Sequence, residues 1–111
     1  MGFKMDEDTF EIEITRADSG HQLVTVRLNG TPYEMQEGDE IHFGVKEDYD
    51  DKVCLFTKKY TTNPFILAFD PPDTRFLDFG KYHYDMQIVF ANGFTRTFIE
   101  KKLFRITEEV V

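Results

Sequence analysis

Apolar and polar residues alternate most regularly between Lys81 and Phe90. The apolar positions in this segment are Tyr82, Tyr84, Met86, Ile88 and Phe90. An alternation with period two predicts a β-strand that buries one face. Asn92-Gly93 follows directly and predicts a hairpin with a type I′ turn, because both residues tolerate positive φ. We therefore expect Phe94–Glu100 to pair antiparallel with Lys81–Phe90.

Weaker alternation elsewhere predicts the other strands. They are Thr9–Arg16, His21–Asn29, Thr31–Met35, Glu40–Glu47, Val53–Lys58 and Pro64–Phe69, and Lys101–Ile106 extends the strand Phe94–Glu100. The inward faces include Phe10, Ile12 and Ile14 in the first of these strands and Ile41, Phe43 and Val45 in the fourth. The pattern leaves open which face of Val53–Lys58 is buried.

These segments together predict an all-β fold. About seven to nine strands, separated by turns at intervals of about 8–12 residues, are typical of an antiparallel β-sandwich or a barrel. We expect one β-sandwich domain over residues 9–107, a flexible charged N-terminus over residues 1–8 and a C-terminal tail over residues 108–111.

The charge balance argues against some classes of partner. The 111 residues include 13 basic and 21 acidic side chains, for a net charge of −8. Phosphate backbones and anionic membranes attract basic surfaces, so we expect neither nucleic acid nor a membrane as partner. No apolar run approaches the roughly 20 residues that cross a bilayer. Cys54 is the only cysteine, which rules out a disulfide within the chain and fits a reducing cytoplasm.

The sequence evidence for catalytic or metal-binding residues is weak. The acidic segment Glu47–Asp51 offers oxygens for Ca²⁺ but lacks the glycine and the distal glutamate of an EF-hand, so we interpret it as a solvated loop. His21, His42 and His83 lack the short spacings of a metal site and are interpreted as exposed strand residues. Cys54 has no adjacent Cys-x-x-Cys partner. We predict no catalytic residue, no metal and no cofactor.

Leu77, Gly80 and Tyr82 form a candidate structural corner. A tyrosine at the start of the sixth strand is where immunoglobulin-like sandwiches place a tyrosine whose hydroxyl bonds back to the upstream main chain. Gly80 would supply a backbone conformation that other residues rarely adopt. The alternative is that Tyr82 and Tyr84 are ordinary core aromatics.

The number of phenylalanines, 12 in all, exceeds what a small sandwich needs for its core. Those without a clear place inside are Phe56, Phe65, Phe76, Phe79, Phe94, Phe98 and Phe104. Exposed apolar patches usually mark contact surfaces, and we take Phe56, Phe94 and Phe98 as a candidate interface. The alternative is that the ambiguous strands turn these side chains inward.

Three segments resemble a family of phage proteins. They are Gly38–Lys46, the pattern of Asp73, Thr74, Leu77, Gly80, Tyr82 and Tyr84–Gln87, and a last part with Gly93, Thr95 and Phe104–Val110. Together they are similar to the N-terminal domain of phage baseplate upper proteins and related prophage structural modules. The resemblance implies an immunoglobulin-like β-sandwich without catalysis. It also implies assembly as a homo-oligomer, with a trimer as one form, or with other tail or baseplate proteins. The location would be the bacterial cytoplasm during assembly and the virion tail afterwards.

Two other functions stay open. A carbohydrate-binding β-sandwich would use exposed aromatics, although the absence of tryptophan weighs against this function. An acidic mimic of DNA would need its carboxylates gathered on one face, whereas the acidic residues are scattered along the sequence.

Overall fold

The computed structural model describes residues 2–48 and 52–108. Within them, almost all regular structure is β. The elements are β1 (Phe3–Met5), β2 (Ile12–Thr15), β3 (Gly20–Val24), β4 (Arg27–Leu28), β5 (Thr31–Pro32), β6 (Glu40–Lys46), β7 (Phe56–Tyr60), β8 (Phe65–Phe69), α1 (Pro71–Thr74), β9 (Gly80–Val89) and β10 (Thr95–Thr107). The all-β prediction is therefore confirmed. None of the helical structure in the described ranges is long and apolar enough to span a membrane.

The main sheet is curled and has six strands in the order β1-β2-β10-β9-β6-β7. Strands β3 and β8 form a second, two-stranded sheet, and β4 and β5 form a short hairpin. All strand pairs are antiparallel except β2 with β10, where Ile12 lies beside Phe104. The sheet is mixed, so the prediction of a purely antiparallel fold is wrong. Parallel neighbours need a long connection, and most of the chain lies between these two strands.

The core fills the space between the two sheets. Its centre is an aromatic cluster of Phe43, Phe56, Phe69, Tyr84 and Phe104. The inward faces predicted for β6 and for most of β9 are confirmed, because Ile41, Phe43, Val45, Tyr82, Tyr84, Met86 and Ile88 are all buried. Alternation was a reliable guide in these strands because both have a strand neighbour on each side.

Some predicted boundaries differ from the structure. Residues 1–8 were expected to be loose, but Phe3–Met5 pairs with β2 and the Phe3 ring lies 5.7 Å from the Phe69 ring. The packing of these apolar side chains orders the segment, although its charged residues suggested a flexible end. His21–Asn29 is split between β3 and β4. The predicted extension of Phe94–Glu100 by Lys101–Ile106 is confirmed, because β10 is one strand over Thr95–Thr107.

The two Asn-Gly pairs make different turns. At Asn29-Gly30 both φ angles are positive, at 55° and 79°, as a type I′ turn requires. At Asn92-Gly93 only the glycine has positive φ, 93°, and its N–H donates to the carbonyl of Phe90. The hairpin is in the predicted place, but the predicted turn type is wrong. Five residues separate the paired Val89 and Thr95, so the loop is too long for a two-residue turn.

Candidate functional site

The most distinctive surface is a cleft between the two sheets, which we call the edge cleft. It has a volume of about 350 Å³. Its apolar walls are Met5, Phe10, Leu23, Val24, Phe98 and Ile99. Asp6, Glu7 and Arg27 are among its polar lining residues. A largely apolar cleft of a few hundred Å³ with a few polar groups is the usual form of a binding site.

The edge cleft lies where β10 lacks a neighbour on one side. Along Thr95–Ile106, β10 pairs with β9. On its other side, β2 pairs only with Phe104–Thr107. Within the described ranges, the segment Thr95–Glu100 therefore has a strand partner on one side only. Strand β3 on the opposite wall is likewise paired with β8 alone, so two open strand edges border one cleft.

The exposure of Arg96 shows that this part of the sheet is not covered. Arg96 is directly opposite Ile88 in the ladder, and residues opposite each other point to the same face. Ile88 is fully buried, whereas Arg96 is exposed. The second sheet thus covers the middle of the large sheet but ends before the start of β10.

A bulge shapes the wall that β10 contributes. The register of β10 against β9 shifts at Phe98 and again between Ile99 and Lys102. Lys101 has a φ of 59°, and its N–H donates to the carboxylate of Asp85 over 2.8 Å. Bulges bend a strand and redirect its side chains, and they are common beside binding sites. Here the bulge leaves Phe98 half-buried at the side of the edge cleft.

The loop Asp6–Phe10 forms another wall of the edge cleft, beside β3, and is held by its own hydrogen bonds. The Asp6 carboxylate accepts from the N–H groups of Asp8 and Thr9, at 2.8 and 3.0 Å. These bonds, that of Thr9 first, lower the pKa of Asp6, so it is charged at neutral pH. The N–H of Phe10 donates to the carbonyl of Asp6 over 2.9 Å. The loop is therefore a closed turn.

Phe10 is in the strained left-handed region, with a φ of 63°. This conformation is rare for bulky residues, and it places the ring on the cleft with 40% of the residue exposed. The buried Tyr84 hydroxyl donates to the Phe10 carbonyl. Strained residues of this kind are concentrated at functional sites. Phe10 was predicted to face the core in a strand, and that prediction is wrong because the chain turns before β2 begins.

The lining of the edge cleft carries charges of both signs. Asp6 and Glu7 come directly after Met5 at the end of β1. Arg27 lies three residues beyond Val24, at the start of β4. The cleft therefore offers partners for both basic and acidic side chains.

The three predicted interface residues have different positions. Phe98 lines the edge cleft. Phe94 is 74% exposed beside the β9–β10 turn and is not among the cleft residues. Phe56 is not a surface residue: it packs in the core, 6.0 Å from Phe104 and 6.2 Å from Phe43. Sequence reasoning missed the exposure of Phe10, because this residue fits a strand pattern and only the tertiary structure exposes it.

The residues of the predicted corner are close together. The Tyr82 hydroxyl donates to the carbonyl of Asp78 over 2.7 Å, which is the bond that a tyrosine corner makes. Gly80 has a φ of 144°, and a side chain there would meet no atom within 4 Å, so only its backbone conformation favours glycine. Leu77 is half-buried against the core. The corner joins α1 to β9 and is distant in sequence from the edge cleft.

The three histidines that were considered as a metal set are apart from one another in the structure. His42 bonds to Glu40 over 2.9 Å. His21 and His83 are on different sheets. Among the residues that the structure describes, no group of three or more His, Cys, Asp or Glu side chains could hold a metal ion. The segment Glu47–Asp51 lies in part outside the described residues.

A second groove runs across the outer face of β6, β7 and β9. Its volume is about 440 Å³, and its lining includes His42, Lys59, Asp85 and Gln87. The ring of Phe43 belongs to the core on the opposite face of the sheet. Among the described residues that line this groove, most are polar and none presents a phenylalanine or tyrosine ring to it.

Comparison with known proteins identifies no relative. No family model, curated protein or solved structure matches the chain.

Proposed function

We propose that the chain is a non-enzymatic assembly module that works by protein–protein contact. The observation that carries this proposal is the edge cleft, where two open strand edges lie beside exposed apolar side chains. Open edges readily pair with another chain, and natural proteins usually cover them. The half-buried Phe98 and the exposed Leu23 add apolar surface that a partner would bury.

We further propose that the fold is an immunoglobulin-like sandwich. In such a fold one sheet contains the neighbouring strands B and E, and the other contains C, F and G. The pair β3–β8 would correspond to B and E, and β6, β9 and β10 to C, F and G. The bond between Tyr82 and Asp78 supports this assignment, because it lies at the entry to the strand that would be F.

The biological setting that we propose is the tail baseplate of a phage or prophage. It is supported by the sequence resemblance, of which Gly38-Asp39 and the corner of Leu77, Gly80 and Tyr82 are parts. Partners would be other copies of the chain or other tail proteins. The protein would occur in the bacterial cytoplasm during assembly and then in the virion tail.

Light scattering after size-exclusion chromatography tests the proposal. The chain would be measured over a range of concentrations, alone and mixed with the products of neighbouring genes. We expect either a discrete oligomer that persists on dilution or a stoichiometric complex. A monomer that forms no complex with any of these proteins would contradict the proposed function.

Carbohydrate binding is a second proposal, and the polar outer-face groove is its support. His42, Asp85 and Gln87 offer hydrogen-bonding groups in this groove. A glycan array probed with and without Ca²⁺ tests it. Binding that is lost in a Gln87→Ala variant would favour carbohydrate recognition, and no binding to any glycan would remove it.

A further inference from the structure

We infer that the edge cleft receives an extended segment of another protein, which adds a strand to the free edge of β10. The segment would have apolar side chains at alternate positions, a basic residue beside Glu7 and an acidic residue beside Arg27. This inference rests on the proposed function, because it names the partner of a protein-contact module.

The main chain of β10 supplies the first recognition element. The edge Thr95–Glu100 has a strand neighbour only in β9, on the side away from the cleft. Six residues of strand extend about 20 Å. An extended peptide that adds to such an edge gains main-chain hydrogen bonds, and its alternate side chains provide specificity. The length of the edge thus sets the length of the segment.

The apolar walls supply the second element. Every second side chain of an added strand would point between the two sheets, toward Phe10, Val24 and Phe98. The remaining side chains would point to solvent, on the outer face of the large sheet. The cleft holds about 350 Å³, so only a few apolar side chains fit inside. An alternating apolar and polar sequence meets both conditions.

The walls are also fixed before a partner arrives. The loop Asp6–Phe10 is closed by three main-chain N–H donors, and the Phe10 carbonyl accepts from Tyr84. The bulge at Lys101 is fixed by its bond to Asp85. A preorganised site loses less conformational entropy on binding. Strain at Phe10 is consistent with a wall built for contact.

Charge adds a third recognition element. Asp6, Glu7 and Arg27 all line the cleft. A segment with a basic residue beside Glu7 and an acidic residue beside Arg27 would match both signs of charge. Complementary charges of this kind fix the register of a partner and increase its rate of association.

The charge of the whole chain favours a different protein over a second copy. Two copies would each carry a net charge of −8 and would repel one another. A separate protein with an exposed alternating segment is the occupant that the cleft fits.

Selection from a library of random peptides of about ten residues, long enough to cover the edge, tests the inference. The folded chain is the bait. We expect the enriched peptides to alternate apolar and polar residues, with both a basic and an acidic residue among the polar positions. Binding should protect from hydrogen exchange those amides of Thr95–Glu100 that point away from β9, since an added strand bonds to that edge.

A double variant, Phe10→Asn with Leu23→Ser, removes apolar surface from the cleft. Asn tolerates the left-handed conformation and Leu23 is 59% exposed, so the fold should persist. We expect it to weaken peptide binding by about tenfold or more. Ile66→Ser is the matched control, because Ile66 is directly opposite Leu23 and 55% exposed but does not line the cleft. Glu7→Lys should weaken the binding of peptides that carry a basic residue and reduce the salt dependence of that binding.

Each other outcome overturns the inference in a distinct way. If peptides bound the double variant as tightly as the wild type, the binding site would lie outside the edge cleft. The proposed assembly role would then still stand. Failure to enrich any peptide would exclude strand addition, and the light-scattering experiment would still decide the assembly role. If the chain alone formed an oligomer and the double variant did not, the occupant of the cleft would be a second copy of the chain and not a separate protein.

Discussion

The Tyr84 hydroxyl, on the buried face of β9, donates a hydrogen bond to the carbonyl of Phe10, 74 residues earlier in the chain. Burial raises the pKa of Tyr84, so its hydroxyl stays protonated and remains a donor. The bond joins the centre of the large sheet to a strained loop at the edge cleft. The shape of the cleft thus depends on a residue of the core.

Replacing Tyr84 by phenylalanine tests this connection. The change keeps the buried ring but leaves the Phe10 carbonyl without its donor. We expect the free energy of unfolding to fall by about 1–2 kcal/mol, the usual effect of losing a buried hydrogen bond. Hydrogen exchange of the Phe10 amide should become faster, while that of β6 in the same variant serves as the control. Unchanged exchange at Phe10 would show that the loop is held without Tyr84.

The strain at Phe10 can be measured by comparing two substitutions. Phe10→Gly and Phe10→Ala both remove the ring, but only glycine adopts a φ near 63° without strain. We expect the glycine variant to be the more stable of the two by about 1 kcal/mol in chemical denaturation. At Thr9, which has no positive φ, the alanine variant should be more stable than the glycine variant. There, glycine brings no relief of strain and only increases the conformational entropy of the unfolded chain. Equal stabilities at position 10 would mean that the left-handed conformation is not retained.

Asp39 connects two loops and gives the fold a dependence on pH. Its carboxylate accepts from the Tyr33 hydroxyl at 2.5 Å and from the N–H groups of Gln36 and Ala91, both at 2.9 Å. These bonds, that of Tyr33 first, lower the pKa of Asp39 below its usual value. A carboxyl whose pKa is lowered on folding stabilises the protein above its unfolded pKa of about 3.9, and this stabilisation is lost as the pH falls through the folded pKa.

Asp39→Asn should therefore lower the melting temperature at pH 7. The difference from the wild type should shrink as the pH falls below about 4, where the wild-type carboxyl becomes protonated as well. Thermal melts between these pH values measure both effects. Glu37→Gln, at an exposed neighbouring position, is the control for the loss of one negative charge. A difference that stays constant with pH would contradict the role of the Asp39 charge.

The corner at the start of β9 allows a separate test of hydrogen bonding and backbone conformation. Tyr82→Phe removes the bond to Asp78 and should cost about 1–2 kcal/mol of unfolding free energy. Gly80→Ala introduces no steric contact, so its expected cost of about 1 kcal/mol comes from the φ of 144° alone. Urea titrations give both values. An unchanged free energy of unfolding in Tyr82→Phe would show that Tyr82 contributes only as a core aromatic.

Local patterns predicted the parts of this fold that are paired on both sides. Alternation gave the buried faces of β6 and β9, and the Asn-Gly pairs gave the positions of both turns. Each of these features depends on residues that are close in sequence. The same reasoning failed at Phe3, Phe10 and Phe56, where the environment of the side chain comes from distant strands.

The sequence by itself determined the all-β class, the buried faces of its central strands and the acidic charge of the chain. These follow from side-chain periodicity and composition. Only the tertiary structure decided that β2 lies parallel to the end of β10, which leaves the first part of β10 open and creates the edge cleft. The reason is physical: whether a strand edge is free depends on its neighbours in space, and a local pattern of apolar residues does not encode them.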